Sequence, residues 1–144
     1  MSLEDIKATT GRVLGVDFGE ARTGLAVSDA SRLLAGGLGN IPGGGLEKTA
    51  ERILAAAAEH RAVAIVLGLP VNMNGTEGPR AQRARELAAL LEAHLPVYLM
   101  DERMSTMAAA RFLNETNTRG KKRKGVIDTL SAQIILQNAL DRLR

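Results

Sequence analysis

The stretch AVAIVLGLP at 62–70 constrains the fold more than any other part of the chain. It is apolar without alternation, so a strand made from it is covered on both faces. Gly68 and Pro70 stop it. Val13, Leu14 and Val16 form a second run of the same kind. Buried strands such as these belong to a sheet with helices packed on both of its faces.

The rest of the chain supplies those helices. Strands are predicted over 12–18, 22–28 and, more weakly, 33–41, joined by links short enough for an antiparallel meander. The periodicity changes after Pro42 and the glycines at 43–45. Leu46, Ala50, Ile53, Leu54 and Ala57 recur at helical spacing over 46–60. A helix follows over 78–94 with Pro79 in its first turn, then a strand over 97–102 and a helical stretch over 104–113. A basic loop spans 114–125, and an amphipathic helix over 126–143 closes the chain. The order β-β-β-α-β-α-β-α-α predicts an α/β fold with a mixed sheet flanked by helices on both faces. Residues 1–11 read as a flexible N-terminal tail and 12–144 as one domain. A chain of 144 residues is long enough to bury about 70% of the surface its unfolded form exposes.

Composition excludes several chemistries. With no cysteine there is no disulfide, zinc-thiolate site or thiol nucleophile. The N-terminus MSLEDIKATTGR has no apolar core of a signal peptide, and no apolar run is long enough to span a bilayer, so a cytoplasmic protein without a membrane partner is expected. Ser28 and Ser131 have no base nearby in the sequence, and the glycines at 43–45 lack the Gly-Lys-Ser/Thr of a phosphate loop. His60 and His94 fall at predicted helix C-termini, where a cation suits the dipole. The net charge of +3 says little; its distribution says more. Residues 119–124 read RGKKRK, a density of cations that favours a solvated loop and an anionic partner. Aromatic residues are too few for a protein that holds single strands by stacking, so a nucleic-acid partner would be held through phosphates and shape.

Three acids stand out against this background. Asp17 ends the first strand between glycines, where an unpaired carboxylate is costly to bury. Glu102 ends the strand 97–102, and Asp128 opens the last helix. Ligands of open α/β sheets gather at the carboxyl ends of strands, which would bring Asp17 and Glu102 together. Clustered carboxylates repel, and they either share a proton or hold a hard cation such as magnesium or manganese. Taken singly, each acid has an ordinary explanation: a turn cap for Asp17, a surface pair with Arg103 for Glu102, and a favourable helix dipole for Asp128.

In order along the chain, VDFGEARTGLAVSD (16–29), GLPVNMNGT (68–76), DERMST (101–106) and KKRKGVIDTLSAQIIL (121–136) resemble the successive motifs of the YqgF/RuvX family. The resemblance covers about residues 12–142. It implies a ribonuclease H-like fold, a five-stranded mixed sheet flanked by helices. It also implies a nuclease that matures the 5′ end of pre-16S rRNA or, as the alternative, a Holliday junction resolvase. By that resemblance Asp17, Glu102 and Asp128 are the catalytic and metal-holding residues of a two-ion magnesium or manganese site filled with substrate. Arg22, Arg103, Arg119, Lys121, Lys122, Arg123 and Lys124 are implied phosphate contacts, and Asn74 and Thr76 contact substrate from the loop after the central strand. The implied partner is pre-rRNA or branched DNA, bound by a monomer or a homodimer. Two other readings stand beside it: a nucleic-acid-binding module without catalysis, and an actin-like phosphotransferase, which needs a second related domain that 144 residues do not supply.

Overall fold

The computed structural model describes residues 3–103 and 120–143, with the backbone alone for 120–128. A short helix α1 (Leu3–Lys7) precedes strands β1 (Arg12–Asp17), β2 (Arg22–Ser28) and β3 (Ala35–Pro42). Helix α2 (Leu46–Glu59), β4 (Ala62–Leu69), α3 (Pro79–Glu92) and β5 (Val97–Asp101) follow, and α4 (Gly120–Leu143) ends the chain. The five strands form one sheet in the order β3-β2-β1-β4-β5. The meander β1-β2-β3 is antiparallel, whereas β1, β4 and β5 run parallel. This is the mixed α/β sheet that the element order predicts. The stretch 104–113 and Arg119 lie outside the described residues.

Alternation divides β1 between the two faces. Leu14 and Val16 pack with Ile53 of α2 and with Leu87 and Leu91 of α3. Val13 packs on the other side with Ala132, Ile135, Leu136 and Leu140 of α4. Strands β1 and β4 lie at the middle of the sheet and are buried from both sides, as their unbroken apolar runs require.

Gly15 decides how closely α4 approaches. A methyl group at this position would lie 2.7 Å from Leu136 Cβ and 3.0 Å from the Ala132 carbonyl oxygen. The helix backbone therefore rests on the strand at the point where the strand has no side chain. The direction of α4 follows from its contacts with β3. The Gln137 amide donates to the Leu33 carbonyl (3.0 Å) and accepts from the Ala35 N–H (2.9 Å), and the Gln133 amide donates to the Ala35 carbonyl (3.1 Å). Farther along β3, the space beside Gly37 is filled by the Thr129 methyl. Falling numbers in α4 thus follow rising numbers in β3, which runs in the same direction as β1. The N-terminal half of α4 points to the carboxyl ends of β1, β4 and β5.

Two expectations are corrected. The segment 1–11 contains α1, and Ile6 is completely buried beneath α4 rather than part of a loose tail. Arg32 holds this segment in place. Its guanidinium donates to the carbonyls of Gly11 (2.6 Å) and Ile6 (3.1 Å) and to Thr9 Oγ1 (2.7 Å), and partial burial pushes its pKa below the ordinary value. A five-residue helix with one core residue has no period to read in a sequence. The second correction concerns the basic run. Residues 120–125 are helical, so 121–124 fall in the first turns of α4 and not in a loop. Lysine and arginine are good helix formers, and here that preference outweighs their mutual repulsion.

The contact at Gly15 makes a prediction about stability. Gly15→Ala should destabilise the fold by roughly 1–3 kcal/mol through overpacking, because backbone must move to admit it. Gly36→Ala, on the exposed edge strand with only the Val27 carbonyl oxygen at 3.9 Å, should be neutral or stabilising by up to about 1 kcal/mol. Urea unfolding of the two variants beside the parent measures the contrast.

Candidate active site

Asp17 ends β1, and strand alternation puts it on the same face as Val13 and Gly15, the face that α4 covers. Its neighbours on that face lack side chains. Gly24 of β2 lies directly opposite it. On the β4 side the register pairs Val16 with Leu67, which brings Asp17 beside Gly68. Glycines therefore clear a bay around the carboxylate of a half-buried Asp17.

Glu102 occupies part of that bay. It is the residue after β5, 7% exposed, and its N–H donates to the Leu69 carbonyl at the end of β4 (3.1 Å). A methyl group on Gly68 would lie 2.7 Å from Glu102 Cγ, 2.8 Å from Glu102 Cδ and 2.7 Å from Ile135 Cδ1. The glutamate side chain thus lies across β4 in the space that Gly68 leaves, one strand away from Asp17, and neighbouring strands are about 4.8 Å apart.

The backbone of α4 carries residue 128 to the same corner. Ala132 rests on Gly15; residue 128 is one helical turn, about 6 Å, farther towards the carboxyl ends. Asp17 is two strand residues beyond Gly15, about 6.6 Å in the same direction. Asp128 also belongs to the helical register of Ala132, Ile135 and Leu136, all of which are buried on the sheet. It sits nine residues into α4 rather than in its first turn, so the helix dipole is not the reason for an acid there. Its side chain lies outside the description, and among the described residues no group of three or more acids or histidines converges.

Arg22 opens β2 at the same end of the sheet and, by alternation from Gly24, on the same face as Asp17. Arg103 is held by Asp101 and not by Glu102. Its Nη2 and Nε donate to Asp101 Oδ2 at 2.6 and 2.9 Å, and its Nη1 donates to the Met73 carbonyl (3.4 Å). The Arg103 guanidinium, chiefly through its hydrogen bonds, keeps the Asp101 carboxyl below the usual range. The surface pairing expected for Glu102 thus falls to its neighbour.

Asn74 and Thr76 bond to each other. Thr76 Oγ1 donates to Asn74 Oδ1 (2.6 Å) and accepts from Asn72 Nδ2 (3.0 Å), while Gly75 takes the left-handed φ of 87° that closes the turn. The two residues build the loop after β4. That loop is tied to α3 by Arg85, whose guanidinium meets the Glu77 carboxylate at 2.6 Å through both Nε and Nη2. The β1–β2 turn is tied to the same helix by Arg83 Nε on Glu20 Oε1 (3.0 Å). Neither bridge has a local spacing by which the sequence could announce it. The shelf that Gly68 provides for Glu102 was missed as well; its one trace is a glycine inside an otherwise bulky buried strand. Both histidines sit at the opposite end of the sheet, beyond the C-terminal ends of α2 and α3. The described donors are thus carboxylate oxygens, which suit a hard cation such as magnesium or manganese.

A mixed five-stranded sheet in this order, flanked by helices, is the ribonuclease H-like fold. The chain matches the model of the RuvX family, described as Holliday junction resolvase, over residues 11–142, and it belongs to that family. Among curated relatives it is 48% identical to a protein of Bradyrhizobium sp. (strain ORS 278) named "Putative pre-16S rRNA nuclease", covering 92% of this chain and 84% of the relative. It is 49% identical to a protein of the same name in Rhodopseudomonas palustris (strain BisA53), covering 93% and 83%. Of solved structures it is similar in fold to T. thermophilus RuvC in complex with a Holliday junction substrate, with a TM-score of 0.53, 16% identity, and coverage of 87% and 91%. The large terminase nuclease of the thermophilic phage G20c gives a TM-score of 0.52 at 12% identity, with coverage of 86% and 81%.

Two measurements probe this geometry. Gly68→Ala should push Glu102 out of the bay while the fold survives, since the atoms that must give way are side-chain ends; a Tm lowered by a few degrees with loss of manganese-induced stabilisation is expected. For Asp101, a folded-state pKa below the unfolded one means that its contribution is complete above the ordinary carboxylate range and is lost as pH falls through the lowered value. Its carboxyl 13C titration should have a midpoint below the ordinary carboxylate value, and Arg103→Gln should raise it towards that value.

Proposed function

We propose that the protein is a divalent-metal-dependent nuclease that hydrolyses phosphodiester bonds in structured nucleic acid, with the 5′ end of pre-16S rRNA as its substrate. The observation that carries this reading is the glycine-walled bay in which Asp17 and Glu102 share one face of the sheet beneath α4. The names of the curated relatives supply the substrate.

Asp17, Glu102 and Asp128 would hold magnesium or manganese. Bound there, a pair of such ions supplies an activated water and stabilises the leaving oxygen of an in-line displacement. The residues themselves hold and orient. Asp17 and Glu102 present acceptor oxygens from rigid strand ends, and α4 seals the inner side of the bay from water through Ala132 and Ile135. Arg22 and Arg103 would grip phosphate oxygens on either side, since a guanidinium fork fits them. Arg119, Lys121, Lys122, Arg123 and Lys124 would draw the backbone towards the same corner by phosphate attraction. Arg103 is presented by Asp101, with its Nη1 edge towards the loop after β4. Asn74 and Thr76 contribute the shape of that loop. Among the described residues no helix is long and apolar enough to cross a membrane; a nuclease of ribosome maturation would act in the cytoplasm.

A second reading, resolution of four-way DNA junctions, is favoured by the description of the family. It uses the same chemistry, differs in substrate shape, and needs two sites and hence a dimer.

The test is cleavage of a labelled pre-16S rRNA fragment and of a four-way DNA junction, with and without manganese, by the parent and by Asp17→Asn. Metal-dependent cutting of the RNA, abolished in the variant, is expected, together with a manganese-induced rise in Tm that the variant loses. Cutting of the junction alone selects the resolvase. Binding without cutting of either substrate leaves a non-catalytic binding module.

A further inference from the structure

The end of the sheet opposite the bay carries a second group of polar side chains. Arg12 opens β1, Ala30 lies in the turn from β2 to β3, and His60 and Arg61 join the end of α2 at Glu59 to β4. Together with Gly11 these residues line a cavity of about 420 Å³. Arg12, Glu59 and Arg61 are exposed, and His60 is half-buried. None of these four side chains has a hydrogen-bond or ion-pair partner among the described residues. At the carboxyl end, by contrast, Arg83, Arg85 and Arg103 are each bound to a carboxylate.

Arg61 stands where the backbone favours another residue. It follows the last turn of α2 with φ at 57°. Its N–H donates to the Ala58 carbonyl (3.2 Å), and the His60 N–H donates to the Ala56 carbonyl (3.0 Å). A left-handed position just after a helix is ordinarily glycine, because a side chain there is strained. The other non-glycine residue with a left-handed φ among those described is Arg32, whose guanidinium is engaged by three acceptors of the N-terminal segment. The guanidinium of Arg61 has no such task within the fold. The dipole of α2 favours a cation beyond its last turn, but it gives no reason for Arg12, which opens a strand.

Two guanidiniums and an imidazole therefore face one cavity, with the Glu59 carboxylate as the single acidic group on its wall. Planar guanidinium forks match phosphate oxygens. Distance selects the phosphate. Arg12 and Asp17 are the first and last residues of β1, about 17 Å apart at 3.3 Å per residue. A duplex advances about 3.4 Å per base pair, so backbone that lies in the bay reaches the cavity only after about five base pairs or more.

We propose that the cavity of Arg12, His60 and Arg61 binds phosphate, and that the phosphates it takes belong to the substrate's own backbone on the flank of the cleavage position. This rests on the nuclease reading for the source of the phosphate and not for the charge of the cavity. The protein then holds structured nucleic acid at both ends of its sheet and favours substrates long enough to span them.

The experiment uses the full chain without metal, so that binding is read apart from cutting. The probes are a labelled pre-16S rRNA hairpin whose helix extends about ten base pairs, one turn, beyond the cleavage position, the same hairpin trimmed short of the cavity, and inorganic phosphate. Arg61→Gly should weaken the long hairpin about fivefold, as for one well-placed exposed ion pair. It should also lower the slope of log affinity against log salt by about one. The trimmed hairpin should keep its affinity, and Tm should stay unchanged or rise, since the left-handed position then carries glycine. Arg12→Gln should reproduce the loss on the long hairpin, and Arg61→Lys should retain most of the affinity. Inorganic phosphate should shift the Nε–H resonances of Arg12 and Arg61. Equal losses on both hairpins, or no loss on the long one, would overturn the proposal; no loss with the phosphate shifts intact would leave a site for free phosphate. Polyglutamate that binds as tightly as the long hairpin and is weakened by the same variants would overturn it in favour of an acidic protein partner. If the parent cuts neither hairpin once manganese is added, the nuclease reading falls, while the affinities still decide whether the cavity holds backbone phosphate.

Discussion

The close approach of α4 to β1 at Gly15 is the contact on which the remainder of the site depends. A helix that rests on a strand through a side chain has some freedom to slide and roll; one whose backbone carbonyl abuts a glycine has little. The contact fixes the height of α4 over the sheet and its phase. The phase brings the register of Ala132, Ile135 and Leu136 down onto the β1–β4 seam, and one turn earlier the same register passes above the end of β1. A strand rises about 3.3 Å per residue and a helix about 1.5 Å. Two residues of β1 therefore match four of α4, and the backbone of residue 128 lies level with the end of β1.

Glycine has a different task at the site itself. Gly24 and Gly68 flank Asp17 without side chains of their own, and the space at Gly68 admits the Glu102 side chain. The cost is borne locally: each removes a β-branched or aliphatic side chain from a position that would otherwise have packed beneath α4. A core built for stability would fill the bay, and this one is open at the end of the sheet where ligands of α/β folds collect.

These features differ in how far the sequence shows them. The strands and helices over 12–101 are legible because each is long enough to display a period or an unbroken apolar run, and the glycine and proline punctuation lies where the elements end. Helix α1 escapes because Ile6 alone carries its burial and Arg32, some two dozen residues away, supplies its bonds. The start of α4 is misread because charge density argues for a loop and helix propensity argues against one, and a sequence does not rank the two. Asp17 and Glu102 are legible as strand-end acids, whereas their arrangement depends on Gly68 being a shelf, which is a three-dimensional fact. Asn74 and Thr76 are implied substrate contacts by the family resemblance alone, and the hydrogen bond between them is a further three-dimensional fact.

The loops around the bay show a related division of labour. Arg83 reaches Glu20 in the β1–β2 turn and Arg85 reaches Glu77 in the β4–α3 loop, so the N-terminal half of α3 holds both walls. Exposed ion pairs of this kind add little to global stability. Their effect is on local opening, because a loop closed by its own hydrogen bonds and clamped at its base has fewer low-energy ways to fray. Arg103 provides the corresponding tie on the β5 side through Asp101 and the Met73 carbonyl. The loops at this end of the sheet obtain rigidity from such ties, and α3, which contributes no acid to the bay, is the element that supplies most of them.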